Sequence, residues 1–312
     1  MTDKKYLIPK TSAEAVKLFT QHENSKYIAG GTDLIVNFKQ NNIAFQSLID
    51  VSSLPELKTI TANEKELTIG ASCTLQEIAG HDFIKKNLSI LKEAALSIAS
   101  PITRASATIG GNLLCENRCV FYNQSDWWRE SIGNCLKCEG DICIATGGKK
   151  NCFSKSSSDM APELLACNAE VSIQTEKGTK RISAEQLYSG EGVYPHTLKA
   201  GELIVAIHIP IVAQQFFYFK LRQRQSIDFS SLTIAMSYQK DKSLLKIGIG
   251  SADPKPVYWE YKINGETKFE DDVLQKVKKI RFVENDYYSR DYRKDILLLQ
   301  LNKQYQKFLN TK

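Results

Sequence analysis

The chain has 312 residues, 42% hydrophobic and 24% charged, enough to bury cores for roughly two or three domains and too ordinary for a disordered or fibrous protein. Its net charge of +6 is carried by lysines and arginines interleaved with acids, which argues for a solvated surface and against a nucleic-acid footprint. No apolar run approaches the ~20 residues that span a bilayer, and no apolar segment follows Met1-Thr-Asp-Lys-Lys-Tyr, so no leader is visible and the expected location is cytoplasmic.

Tyr6–Pro9 reads as a short strand. Thr11 and Glu14 have capping-box spacing ahead of a helix running to about Gln21. Lys26–Ala29 is a strand ending in Gly30-Gly31-Thr32-Asp33-Leu34, a tight turn that opens another short helix. Ser47–Val51 and Leu67–Ala71 are further strands, and Thr74 begins a helix. Leu88, Leu91, Ala95 and Ile98 recur at helical spacing. Ser100-Pro101-Ile102-Thr103-Arg104 follows, then a second glycine turn, Ala107-Thr108-Ile109-Gly110-Gly111-Asn112.

From about Leu113 to Ser158 periodicity is lost, and the chain is rich in cysteine, glycine and the aromatics Phe121, Tyr122, Trp127, Trp128 and Phe153. A stretch this long without regular structure is functional or disordered, and its cysteines argue for order imposed by a ligand. Regular structure resumes at Asp159 with a helix over 160–167 and strands Glu170–Thr175 and Leu203–Pro210, a Lys177-Gly178 turn lying between them. Phe216–Leu221, Ser231–Gln239 and Leu244–Ile249 read as an antiparallel meander, and helices over about 270–280 and 288–308 close the chain.

Six of the eight cysteines lie between Cys115 and Cys152, and none of the four histidines does. In a reducing compartment such a cluster is read as metal ligands before disulfides. Cys73 and Cys167 sit in apolar surroundings and read as plain buried thiols. Cys135-x2-Cys138 and Cys115-x3-Cys119 would suit a structural zinc site, and four thiolates equally suit an iron–sulfur cluster. Spacing alone leaves the two open. Trp127 and Trp128 could shield such a site or dock a partner, with shielding preferred.

Both glycine turns let backbone N–H groups converge on an anion, helped by a helix N-terminus. Neither is a G-x-G-x-x-G or Walker motif, and a plain tight turn with positive φ is the bland alternative for each.

Taken in order, Ala29–Leu34, Ala107–Asn112, Ser158-Asp159-Met160-Ala161-Pro162, Gly201-Glu202-Leu203-Ile204, Phe219-Lys220-Leu221-Arg222, Ser226-Ile227-Asp228-Phe229, Ala252-Asp253-Pro254-Lys255-Pro256 and Ser289–Arg293 resemble the FAD-binding (medium) subunit of the molybdenum hydroxylases, the xanthine dehydrogenase and carbon monoxide dehydrogenase group. The resemblance covers nearly the whole chain. Most of that family run straight from the Gly-Gly-Asn segment to the Ser-Asp segment; here 113–158 intervenes. The intervening segment, with Asn117–Gln124 and Trp127-Trp128-Arg129, is similar to the insertion of the 4-hydroxybenzoyl-CoA reductase β subunit, which holds a [4Fe–4S] cluster. Certain bacterial aldehyde oxidoreductases also carry a cluster in this subunit, on a different insertion sequence.

The resemblance implies an α+β chain: a two-subdomain FAD-binding fold of the PCMH/vanillyl-alcohol-oxidase type over 1–212, divided into 1–60 and 61–212 with the insertion at 113–158, then a C-terminal α+β domain over 213–312 of the carbon monoxide dehydrogenase flavoprotein kind, an antiparallel sheet with helices. It implies FAD on Ile28, Ala29, Gly30, Gly31, Thr32, Asp33, Leu34, Thr108, Gly110, Gly111 and Asn112 at the pyrophosphate and ribityl region, with Thr103 on a segment passing the flavin. Asp159 would accept hydrogen bonds from the adenosine end, Ile204 would pack near the isoalloxazine and Lys220 would approach the flavin. The bland readings are Asp159 as a helix cap, Ile204 as core and Lys220 as a solvated strand lysine. A [4Fe–4S] cluster would take Cys119, Cys135, Cys143 and Cys152, spaced C-x15-C-x7-C-x8-C, leaving Cys115 and Cys138 structural. No catalytic residue is expected. Substrate chemistry falls to a molybdopterin-containing large subunit, joined by a small [2Fe–2S] subunit and served by a ferredoxin-like carrier, in a dimer of heterotrimers.

Overall fold

The computed structural model describes residues 4–263 and 269–310. Residues 1–3, on which part of the leader reading rests, lie outside that range. Two compact units are present: residues 1–115, 168–187 and 196–211 form the first, and residues 116–167, 188–195 and 212–312 the second. Segment 116–158 thus gathers with the C-terminal part of the chain, whereas the sequence reading set it within 1–212.

In the first unit, β1 (Lys5–Leu7), α1 (Ser12–Gln21), β2 (Ser25–Ile28), α2 (Leu34–Lys39) and β3 (Ser47–Asp50) come first. The strands form a parallel sheet in the order β1-β3-β2. Thr11 Oγ1 accepts from the Glu14 amide and starts α1. The box is only half made, because Glu14 reaches back to the Lys10 amide and not to that of Thr11. Ala15, Val16, Ile49, Val51, Leu54 and Leu57 bury one face of α1 on this sheet.

Next come β4 (Ile60–Ala62), β5 (Glu66–Gly70), α3 (Leu75–Gly80), α4 (Asp82–Asn87), α5 (Ser89–Ser97), α6 (Pro101–Arg104) and α7 (Ile109–Leu113). Thr74 and Glu77 complete the reciprocal capping box that opens α3. Gly110 and Gly111 lie inside α7, capped by Thr108 Oγ1 accepting from the Gly111 amide. The second glycine segment is therefore a helix and not a turn at a strand end, and neither residue has positive φ. A Cβ on Gly110 would stand 2.9 Å from the Ala71 carbonyl oxygen, so glycine is required there by close approach.

After α8 (Asp126–Ser131) and α9 (Ala161–Ala166), both in the second unit, the chain returns with β6 (Glu170–Thr175), β7 (Gly178–Ser183) and β8 (Leu203–Pro210). These complete a five-stranded antiparallel sheet, β4-β5-β8-β6-β7. The expected bounds of β6 and β8 are met, whereas β4 and β7, short and largely exposed, carry no periodic signal.

The second unit ends with β9 (Gln215–Leu221), β10 (Leu232–Gln239), β11 (Leu244–Gly250), β12 (Val257–Lys262), α10 (Phe269–Val277) and α11 (Arg290–Asn310). The meander is antiparallel, in the order β12-β11-β10-β9. Ile234, Met236, Ile247 and Ile249 project from one face into a core with Phe269, Val273, Leu297 and Leu301. Its other face is small and polar, and α9 lies on it. Cβ atoms on Gly248 and Gly250 would meet Pro162 at 2.0 and 2.7 Å, and Ser237 Oγ donates to the Ala166 carbonyl at 2.6 Å.

Candidate functional site

In the first unit, β2 runs out at Ile28 and the chain turns through Ala29, Gly30, Gly31, Thr32 and Asp33 into α2 at Leu34. Gly31 has φ +68, a conformation glycine adopts without strain. A Cβ on Gly30 would lie 1.8 Å from the Ser106 carbonyl oxygen and 3.2 Å from the Ala107 nitrogen. The two glycine segments, far apart in sequence, are thus packed backbone to backbone, with Thr103 one turn before the contact: its carbonyl accepts from the Ala107 amide at 2.8 Å. The amides of Gly30, Gly31 and Thr32 donate to no backbone acceptor among the described residues, and residues 28–34 are half-buried or exposed. Unpartnered amides on a half-open turn fit an anionic ligand such as a pyrophosphate. Asp33 directly follows this turn and Asn112 lies within α7, while Ile204 on β8 is 2% exposed and sits in the core.

In the second unit, Asp159 and Lys220 meet. Lys220 Nζ lies 2.7 Å from Asp159 Oδ2, with side chains 4% and 5% exposed. Thr233 Oγ1 donates to the other carboxylate oxygen at 3.2 Å. Neither bland reading of these residues survives. Lys220 is buried, and the hydroxyl that accepts from the first turn of α9 is that of Ser158, from the Ala161 amide at 3.1 Å. Glu163, one turn along α9, is fully buried with both carboxylate oxygens unpartnered among the described residues. Burial holds its pKa well above the ordinary carboxyl range.

Cys119, Cys135, Cys143 and Cys152 line a single cavity, with Phe121, Tyr122, Leu136, Lys137, Ile144, Ala145 and Ser154 completing its wall. All four cysteines are buried, and among the described residues no cysteine is in a disulfide. Three of them begin tight turns. The Tyr122 and Asn123 amides fold back onto the Cys119 carbonyl, those of Cys138 and Gly140 onto that of Cys135, and those of Thr146 and Gly147 onto that of Cys143. Cys152 instead receives the Ser154 amide on its sulfur at 3.4 Å. Burial pushes the Cys119 thiol up to about 11 and raises that of Cys152. Cys135 is held down at about 6 by a hydrogen bond from Cys138, whose own proton is retained by the same bond.

Among the described residues no three His, Cys, Asp or Glu side chains converge as ligands of one metal ion. Four cysteine thiols around one cavity form a thiolate donor set of the kind that zinc and iron–sulfur groups both take. Cys138 lies in the short 3-10 turn after Cys135 and Cys115 just beyond α7, and neither lines the cavity. Cys73 and Cys167 are buried at 1% and 3% exposure, as expected of packing thiols.

The aromatic cover differs from expectation. Phe121 and Tyr122 line the cavity; Trp127 is 75% exposed on α8, and neither it nor Trp128 reaches the wall. Sequence reading also missed the loop 188–195. A Cβ on Gly192 would lie 2.7 Å from Cys152 Sγ. Its carbonyl accepts from Lys137 Nζ at 2.8 Å and from Ser154 Oγ at 2.9 Å. The Glu191 carboxylate accepts from the amides of Cys152, Val193 and Tyr194 at 2.7 to 2.9 Å. The one local signal was Gly190-Glu191-Gly192, and nothing in it points to the cysteines.

Residues 2–212 match the family model described as the FAD binding domain in molybdopterin dehydrogenase. The aldehyde oxidoreductase FAD-binding subunit PaoB of Escherichia coli K12 is 32% identical over 256 residues, covering 79% of this chain and 80% of that one. The carbon monoxide dehydrogenase medium chain of Afipia carboxidovorans is 28% identical over 223 residues, 70% of this chain and 63% of that one. A chain of the crystal structure of the Cu,Mo-CO dehydrogenase superposes with a TM-score of 0.75 at 22% identity, over 96% of this chain and 95% of that one, which speaks for the fold.

The fold is thus that of an FAD-binding oxidoreductase subunit. The chain belongs to the family of FAD-binding subunits of the molybdenum hydroxylases, with aldehyde, xanthine and carbon monoxide dehydrogenases among its relatives. No helix of the described residues is long and apolar enough to cross a membrane.

Proposed function

We propose that this chain is the electron port of a molybdenum-containing complex and carries two redox centres, FAD and a [4Fe–4S] cluster. The observation that carries the second centre is the shared cavity of Cys119, Cys135, Cys143 and Cys152. FAD exchanges one or two electrons, so it couples a two-electron substrate step to one-electron carriers. The FAD-binding domain is taken as 1–212, in keeping with the family match over 2–212. Ile28–Leu34 would hold the pyrophosphate through the amides of Gly30, Gly31 and Thr32, and Thr108–Asn112 would border the ribityl region, the amides of 109–112 being already donated within the protein, with Thr103, Asp159, Ile204 and Lys220 in the roles the resemblance gives them. Phe121 and Tyr122 exclude water from the thiolates. Cys115 and Cys138 are structural.

The partners are a molybdopterin-containing large subunit, a small [2Fe–2S] subunit and a ferredoxin-like carrier, assembled as a dimer of heterotrimers in the cytoplasm. The insertion's likeness to 4-hydroxybenzoyl-CoA reductase favours inward electron flow, reducing an aromatic CoA thioester. A second reading, outward flow from an aldehyde, is favoured by the 32% identity to an aldehyde oxidoreductase subunit.

The test is an ultraviolet–visible spectrum of anaerobically purified protein with flavin, iron and acid-labile sulfide assays. One FAD with about four iron and four sulfide per chain supports the reading. Cys119→Ser and Cys143→Ser then lose the iron while Cys138→Ser keeps it. Flavin without iron removes the second centre. Turnover of 4-hydroxybenzoyl-CoA against aldehydes by the assembled complex decides the substrate.

A further inference from the structure

The cavity wall holds one cationic side chain among the described residues, Lys137, two positions after Cys135. Its ammonium is almost wholly buried, the side chain being 4% exposed. Nζ donates to the Gly192 carbonyl at 2.8 Å and to Glu116 Oε2 at 2.9 Å, and it lies 5.2 Å from the centre of the Tyr122 ring. Glu116 sits further out, with 34% of its side chain exposed. The positive end of the pair is therefore in the dry wall, where charge acts at low dielectric, and the negative end is partly screened by water.

A surface lysine gains little from such an arrangement, and a buried ion pair is no stabilising device in itself. The position calls for a negative charge beside it. A cluster held by four thiolates supplies one, and one added electron makes it more negative by a unit. A fixed cation in the wall favours the reduced form. Charge and hydrogen bonds around the sulfurs are the levers by which a protein sets cluster potential.

We propose that Lys137 sets the reduction potential of the cluster in this cavity, with Glu116 as the counter-charge that limits its effect. The inference rests on the reading of the cavity as an iron–sulfur site. Lys137 is a positioning residue for charge; it ligates nothing and transfers no proton.

The experiment is an anaerobic dithionite titration of the purified holoprotein, following the electron paramagnetic resonance signal of the reduced cluster, with iron and flavin measured on every sample. Lys137→Met is expected to shift the one-electron reduction equilibrium at least tenfold towards the oxidised form, about 59 mV to more negative potential. Glu116→Gln is expected to shift it the opposite way, and Lys137→Arg to stay within threefold of wild type. A purely structural role for Lys137 gives no such opposition of sign. Should Lys137→Met load no iron, the upward shift in Glu116→Gln and the unchanged potential in Lys137→Arg still carry the proposal. Iron-replete variants whose midpoints all coincide with wild type overturn the role of Lys137 alone. Wild-type protein without iron overturns the cluster reading, and this inference with it.

Discussion

The α-carbon of Gly192 lies against the sulfur of Cys152: a Cβ there would stand 2.7 Å from Sγ and 2.8 Å from the Cys152 carbonyl oxygen. The Gly192 amide also donates to that carbonyl at 3.1 Å. The loop 188–195 is thus pressed onto the last of the four cavity cysteines. Neither atom of Cys152 can give way without opening the cavity. Gly192→Ala is expected to cost about 1–3 kcal/mol by overpacking and to lower the iron bound per flavin. Urea unfolding and iron assays check this, and Gly148→Ala, whose nearest contact is an ordinary 3.4 Å to Thr146 Oγ1, is the control.

Gly30→Ala attacks the other site. Its Cβ would occupy the space of the Ser106 carbonyl, 1.8 Å away, so the turn must lift from the 103–107 segment. The expected result is at least a tenfold loss of FAD affinity, about 1.4 kcal/mol, with iron content unchanged. Flavin fluorescence on dilution measures it. Retained affinity would mean that the contact between the two segments does not shape the cofactor site.

Lys155 and Asp286 form a buried ion pair that ties the insertion to the C-terminal part of the second unit. Lys155 Nζ also donates to the Ser230 carbonyl at 2.7 Å, and Ser231 Oγ donates to Asp286 at 2.6 Å. Burial draws the Lys155 pKa down, while Lys155 and Ser231 hold Asp286 below the ordinary carboxyl range against its own burial. Asp286→Ala strands a buried ammonium and is expected to cost about 3–5 kcal/mol. Adding Lys155→Met removes the stranded charge and should recover most of that loss in a double-mutant cycle.

Glu163 gives a pH dependence. Its folded-state pKa is raised above the reference 4.5 by burial. Below pH 4.5 the group is protonated in both states and costs nothing. As pH rises above that value, only the unfolded chain ionises, so stability falls by about 1.4 kcal/mol per pH unit until the folded pKa is reached. Glu163→Gln removes this slope and is expected to stabilise the protein at pH 7 more than at pH 5. Parallel urea titrations at the two pH values test it; equal effects at both would show that Glu163 is ionised in the folded protein.

The sequence by itself determined what is local. Thr11 and Thr74 announce their helices because a cap hydroxyl needs only an amide three residues on. Strands β6 and β8 show their bounds through alternation along a half-buried sheet. Ordered motifs pointed to the family, and the resemblance carried four ligands onto Cys119, Cys135, Cys143 and Cys152, which do share a cavity. Only the tertiary structure decided the rest. Position 110 must be glycine because Ala71, remote in sequence, leaves no room for a side chain. Phe121 and Tyr122 cover the thiols while the more conspicuous Trp127 faces water. Asp159 finds Lys220, and Cys152 finds Gly192. Such contacts join segments whose separation along the chain carries no periodicity. They are fixed by how sheets and helices pack, and burial and charge act on whatever that packing brings together.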